Sequence, residues 1–105
     1  MAWLYLFSAG ILEIVWAFTM KQSDGFTRPV PTAITIVTMI GSFALLSLAM
    51  RSLPLGTAYT IWTGIGAVGA FIVGVTVLGE ALTPMRIAAA TLIVSGLVMM
   101  KLPAS

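Results

Sequence analysis

A single carboxylate stands in the middle of an apolar run, and that pairing constrains the chain more than any other feature. From Ala2 to Met20 the only charged residue is Glu13. At 1.5 Å per residue the run makes a helix of about 28 Å, enough to cross a hydrocarbon core of about 30 Å. Glu13 then lies about 17 Å from the helix start, near mid-membrane. An ionised, unpaired acid at that depth is costly, so Glu13 must be protonated, paired with a cation or in touch with water in a cavity. Intramembrane acids mark ion and proton pathways by default. The bland reading is a fortuitous acid satisfied by a neighbouring helix.

The remainder of the chain has the same solvent preference. It is 60% hydrophobic and only 8% charged over 105 residues, with a mean hydropathy of +1.13. A soluble domain of this size could not cover so much apolar surface, so the chain reads as an integral membrane protein in contact with the lipid bilayer. Histidine and cysteine are absent, which removes disulfides, thiolate chemistry and imidazole relays. No metal site and no cofactor are expected. A net charge of +2 without a basic patch argues against a nucleic-acid partner. No Lys or Arg precedes the first run, and the run exceeds a signal-peptide core of about 7 to 15 residues, so it reads as a retained helix.

Punctuation along the chain predicts four transmembrane helices, about 2–20, 30–50, 55–78 and 84–101, in one domain spanning 1–105. Pro29 and Pro31 suit the first turn of helix 2, and Thr83-Pro84 suits an N-cap followed by proline at the start of helix 4. Trp3, Tyr5 and Phe7 fit an interfacial aromatic belt. On helix 1, Gly10, Glu13, Trp16, Ala17 and Met20 share one face. Helix 2 carries Thr35, Thr38, Ser42 and Ser47, whose hydroxyls mostly suit helix packing. Ser42 differs in depth, at about 12 Å from the Met50 end. Tyr59 and Trp62 share a face of helix 3, and Trp62 lies about 12 Å from Pro54. Glu13, Ser42 and Trp62 therefore reach one level on three helices. The competing reading of Tyr59 and Trp62 is a second aromatic belt. Glu80 reads as a solvated loop acid.

Gly64, Gly66 and Gly69 spell a G-x-G-x-x-G pattern inside an apolar span. A dinucleotide site would need it after a strand and at the start of a helix, so that meaning is rejected. The glycines suit either a bend in helix 3, as a gating helix needs, or close helix packing alone. On helix 4, Ala89 and Gly96 lie seven apart, and small residues on one side suit a helix–helix interface, including one between chains.

Four spans place Arg51 and Lys101 on one side of the membrane and Lys21, Arg28 and Arg86 on the other. A difference of one, three minus two, is a weak orientation signal. Alternating-access transporters commonly carry inverted repeats with substrate between them, and no internal repeat is evident here. A second, inverted copy of the chain could supply the missing half, bringing two Glu13 side chains together.

These residues resemble the small multidrug resistance family over essentially the whole chain. The resemblance rests on the four short helices, the helix 1 acid, Gly25-Phe26-Thr27-Arg28, and Ala58-Tyr59-Thr60-Ile61-Trp62-Thr63-Gly64-Ile65-Gly66. Glu13-Ile14-Val15-Trp16 together with Trp62-Thr63-Gly64-Ile65-Gly66-Ala67-Val68-Gly69 looks like the guanidinium-exporter subtype, formerly described as quaternary ammonium resistance proteins. The polyspecific subtype typically has small residues near Trp16 and serine where Thr63 stands. Pro29 departs from the aliphatic residue more usual in relatives.

The resemblance implies an antiparallel, dual-topology homodimer in a bacterial inner membrane that exchanges protons for a small cation. Glu13 would be the shared carboxylate for substrate and proton. Trp16, Tyr59 and Trp62 would line the site, Ser42 would bond to Glu13 or to a ring, and Ala89 and Gly96 would form the dimer contact. Alternatives are a polyspecific exporter of quaternary ammonium or aromatic cations, and a dual-topology anion channel, against which Glu13 argues. A rotary-ATPase proteolipid fits poorly, because its acid lies in the second helix of a hairpin. A purely structural bundle leaves Glu13 unexplained.

Overall fold

In the computed structural model the described residues, 1–101, form four helices in chain order: α1 (Ala2–Gln22), α2 (Pro29–Ala49), α3 (Leu55–Thr76) and α4 (Pro84–Lys101). Each is long and apolar enough to cross a membrane. The chain is thus an all-helical, multi-pass membrane protein.

The helix ends follow from local hydrogen bonding. α1 continues two residues past Met20 because Ser23 closes it. The Ser23 hydroxyl donates to the Met20 carbonyl at 2.6 Å and accepts from the Phe26 N–H at 3.1 Å. Asp24, Gly25 and Phe26 then take φ of 50°, 73° and 66°, a left-handed sequence that only glycine adopts without steric cost. Pro29 opens α2, where a missing N–H has no helical partner to lose. α3 stops at Thr76, two residues before the expected end. Gly79 turns the chain at φ 70°, and the Glu80 N–H donates to the Gly74 carbonyl at 2.9 Å. At α4 the Thr83 hydroxyl accepts from the Arg86 N–H at 3.2 Å, just before Pro84, as an N-cap does.

α1 lies at the centre, with α2 packed along one side and α3 along the other, while α4 packs on α3. The extents of 46 × 35 × 16 Å describe a slab about one helix thick. Its packed core sits at one end. Leu6 and Ala9 come from early α1, Leu46 and Ala49 from late α2, and Ala58, Ile61 and Trp62 from early α3. At this same end Lys101 brings its ammonium 5.3 Å from the Trp3 ring centre, a cation–π contact between α1 and α4. α4 contributes no buried residue.

The α2 hydroxyls behave mainly as packing groups. Thr32, Thr35 and Thr38 each donate to the carbonyl four residues earlier, at 2.6 to 2.8 Å. Thr35 also shares a 2.7 Å hydrogen bond with Thr19 of α1.

Candidate functional site

Ser42 is the α2 hydroxyl that leaves this pattern. Fully buried, it donates to the Ala9 carbonyl of α1 at 2.7 Å and accepts from the Trp62 indole N–H of α3 at 3.0 Å. Ser42 and Trp62 therefore meet across helices, but on α1 they join at Ala9, one turn before Glu13. Of the two partners expected for Ser42, it takes a ring and not Glu13.

Glu13 points elsewhere. Its side chain lies over Gly66 of α3, so closely that a Cβ there would overlap the carboxylate and come within 2.7 Å of Cγ. The same packing recurs along the α1–α3 seam. Gly69 receives Ile14, and Gly10 of α1 receives Ile65, whose Cβ is 2.9 Å from a Cβ built there. Gly64 faces away, toward Leu97 of α4, with 3.0 Å from a built Cβ to Leu97 Cγ. Gly64, Gly66 and Gly69 thus each admit a neighbour's side chain. α3 itself is one continuous helix through all of them.

The aromatic residues form a path that starts at Trp16, three residues after Glu13 on α1. Trp16 meets Phe43 edge-on at 6.4 Å between centroids, Phe43 meets Trp62 at 5.6 Å, and Trp62 meets Tyr59 at 5.7 Å. Sequence reasoning brought Trp16, Tyr59 and Trp62 to this site but left out Phe43, which joins them. Its place next to Ser42 on α2 was the available signal. Trp62 is buried at 7% exposure, whereas Tyr59 is 54% exposed. Ala89 and Gly96 stand apart from this cluster, on α4.

Two polar atoms here are buried without a hydrogen-bond partner: Glu13 Oε1 and Trp16 Nε1. Buried polar groups are normally satisfied, and these two are not. A carboxylate oxygen accepts hydrogen bonds and attracts cations, and aromatic faces also attract cations. The combination suits a small cation carrying N–H groups.

The model of the Small Multidrug Resistance protein family matches residues 1–93. The chain is 55% identical over 102 residues, 97% of its own length and 97% of theirs, to the guanidinium exporters of Escherichia coli strain K12, Citrobacter freundii and Salmonella typhimurium. A match of that extent, on a four-span helical chain, means that the protein belongs to the small multidrug resistance family.

Proposed function

We propose that this protein exports guanidinium and small guanidinyl cations across the inner membrane in exchange for protons, as a transporter and not an enzyme. The observation that carries the reading is the unpartnered Glu13 Oε1 seated on Gly66, one helical turn before Trp16, where the Trp16–Phe43–Trp62–Tyr59 path begins. Guanidinium is planar, and its N–H pairs match the two oxygens of a carboxylate. Ring faces on the same site add about 0.5 to 2 kcal/mol of cation attraction. Trp16, Tyr59 and Trp62 would line the site, with Ser42 holding Trp62 in place. The guanidinium exporters of the three relatives named above support this substrate class.

Coupling follows from competition. A proton on Glu13 removes the charge that holds the cation, so the two occupy the carboxylate in turn. If only a loaded transporter switches its access, an inward proton gradient drives cation export. The proposed working unit is an antiparallel homodimer of four-helix domains, each chain supplying one Glu13. The near balance of Lys and Arg between the two sides, three against two, supports insertion in both orientations. The slab shape, with α4 burying nothing, supports a partner on the open faces. Bending of α3 near Gly64, Gly66 and Gly69 would let the site change sides.

The test is transport in proteoliposomes under a proton gradient, with guanidinium and a quaternary ammonium measured in parallel. Guanidinium exchange is expected in the native protein and none in Glu13→Gln. The apparent affinity for guanidinium should rise with pH and level off once Glu13 is ionised throughout. Coupled transport by Glu13→Gln would sink the mechanism, and transport of the quaternary ammonium alone would move the protein to the polyspecific subtype.

A further inference from the structure

The seam between α1 and α3 opens beyond Glu13. On α1, Glu13, Ala17 and Lys21 follow at intervals of four, and on α3 Gly66, Ala70 and Gly74 do the same, so each trio forms one row along its helix. Between the rows lies a cavity of about 310 Å³, lined by Ala17, Phe18, Lys21, Ala70, Gly74 and Glu80 among others. It begins one turn past Glu13 and runs to the end of α3.

The far end repeats the arrangement found at Glu13. The Glu80 carboxylate lies over Gly74 as the Glu13 carboxylate lies over Gly66. A Cβ on Gly74 would overlap Glu80 Oε1 and come within 2.9 Å of its Cδ. The backbone holds it there: Gly79 turns the chain back at φ 70°, and the Glu80 N–H donates to the Gly74 carbonyl at 2.9 Å. Glu80 is thus an exposed loop acid, as its sequence context suggests, whose carboxylate is also placed at the mouth of a cavity. Glu80 on its glycine notch thus lines one end of the cavity, and Glu13 on its own notch stands one turn beyond the other.

We propose that Glu80 is an outer binding carboxylate for guanidinium-class cations, and that this cavity carries them between Glu80 and Glu13. The inference rests on the reading of the protein as a cation exporter. At about 30 Å³ per water in the liquid, the cavity has room for a four-heavy-atom cation with several waters. Phe18 and Phe71 in its wall offer ring faces to a cation. Lys21, on the α1 side of the same cavity, opposes an arriving cation, and Glu80 offsets that repulsion.

The test is guanidinium uptake at low ionic strength in proteoliposomes holding the native protein, Glu80→Gln, Gly74→Ala or the double variant. Glu80→Gln is expected to raise KM about threefold to fivefold, as loss of one solvent-exposed charge attraction does, with kcat and proton coupling kept. Gly74→Ala keeps the charge but displaces the carboxylate, so it should raise KM by a similar factor, and the double variant should add little more. Lys21→Gln should lower KM. If Glu80→Gln does not fold, Gly74→Ala and Lys21→Gln carry the test alone. Native flux with unchanged KM in these variants overturns this inference and leaves the exporter reading standing. A fall in kcat at constant KM also overturns it, since that is a structural effect. Absence of guanidinium flux in the native protein overturns both.

Discussion

The Trp62 indole N–H donates to the Ser42 hydroxyl at 3.0 Å, and that hydroxyl donates in turn to the Ala9 carbonyl at 2.7 Å. One short side chain thereby ties α1, α2 and α3 together, one helical turn from Glu13. Ser42→Ala leaves the buried Trp62 N–H without an acceptor, which costs about 1 to 2 kcal/mol. The expected result is a lower unfolding temperature in detergent and a higher KM for the transported cation, as the ring loses its anchor. Ser42→Cys keeps a weak acceptor and should recover part of both. A Ser42→Ala protein that melts and transports like the native one would show that packing alone orients Trp62.

Gly66 and Gly56 lie on the same helix and make opposite demands. A Cβ on Gly66 would collide with the Glu13 carboxylate, whereas a Cβ on Gly56 meets nothing within 4 Å. Gly66→Ala must push the carboxylate off its seat, and misplacing a binding group by about 1 Å can cost about 100-fold. We expect kcat/KM to fall at least about tenfold. Gly56→Ala removes a poor helix former and should leave transport unchanged, with a stability gain of up to about 1 kcal/mol. Equal transport by the two variants would remove Gly66 from the binding geometry.

These contrasts show which parts of the molecule the sequence made legible. The spans could be read because each is an apolar run closed by a recognisable signal, such as Thr83-Pro84 before α4 or Pro29 at the start of α2. The approach of Ser42 and Trp62 could be read because depth is residue count multiplied by helical rise, although both meet α1 at Ala9, one turn before Glu13. Rotation about each helix axis could not, since it is set by packing between helices. Glu13 turns toward Gly66, whereas Ser42 turns toward Trp62 and Ala9, one turn away. Phe43 joins the aromatic path for the same reason. Glu80 is the exposed loop acid its context suggests, but its seat over Gly74 could not be read, because it depends on the chain reversal at Gly79.

Trp16 carries the proposed selectivity. It meets Phe43 edge-on at 6.4 Å and leaves its indole Nε1 buried without a partner. Trp16→Ala removes a ring face and enlarges the site. The loss of cation attraction, about 0.5 to 2 kcal/mol, should weaken guanidinium binding between about twofold and thirtyfold. The added room should admit a quaternary ammonium that the native protein carries poorly. Parallel uptake of both cations reads the two effects, and a variant that weakens guanidinium transport without admitting the larger cation would assign Trp16 to binding and not to exclusion.

Gly64 and Gly96 separate packing inside the chain from the proposed contact between chains. A Cβ on Gly64 would strike Leu97, so Gly64→Val should loosen α4 from α3 and lower the unfolding temperature of a single chain. A Cβ on Gly96 meets nothing within 4 Å, and α4 has no buried residue. The chain alone therefore gives no reason for glycine at 96. In a membrane, helices approach closely where residues are small, so Gly96 suits contact with α4 of a second copy. Gly96→Val should leave the helical content of the chain intact, reduce dimer cross-linking in detergent and abolish transport. If Gly96→Val instead cross-links and transports like the native protein, α4 does not meet its partner at this position, and the dimer must form through the open faces of the other helices.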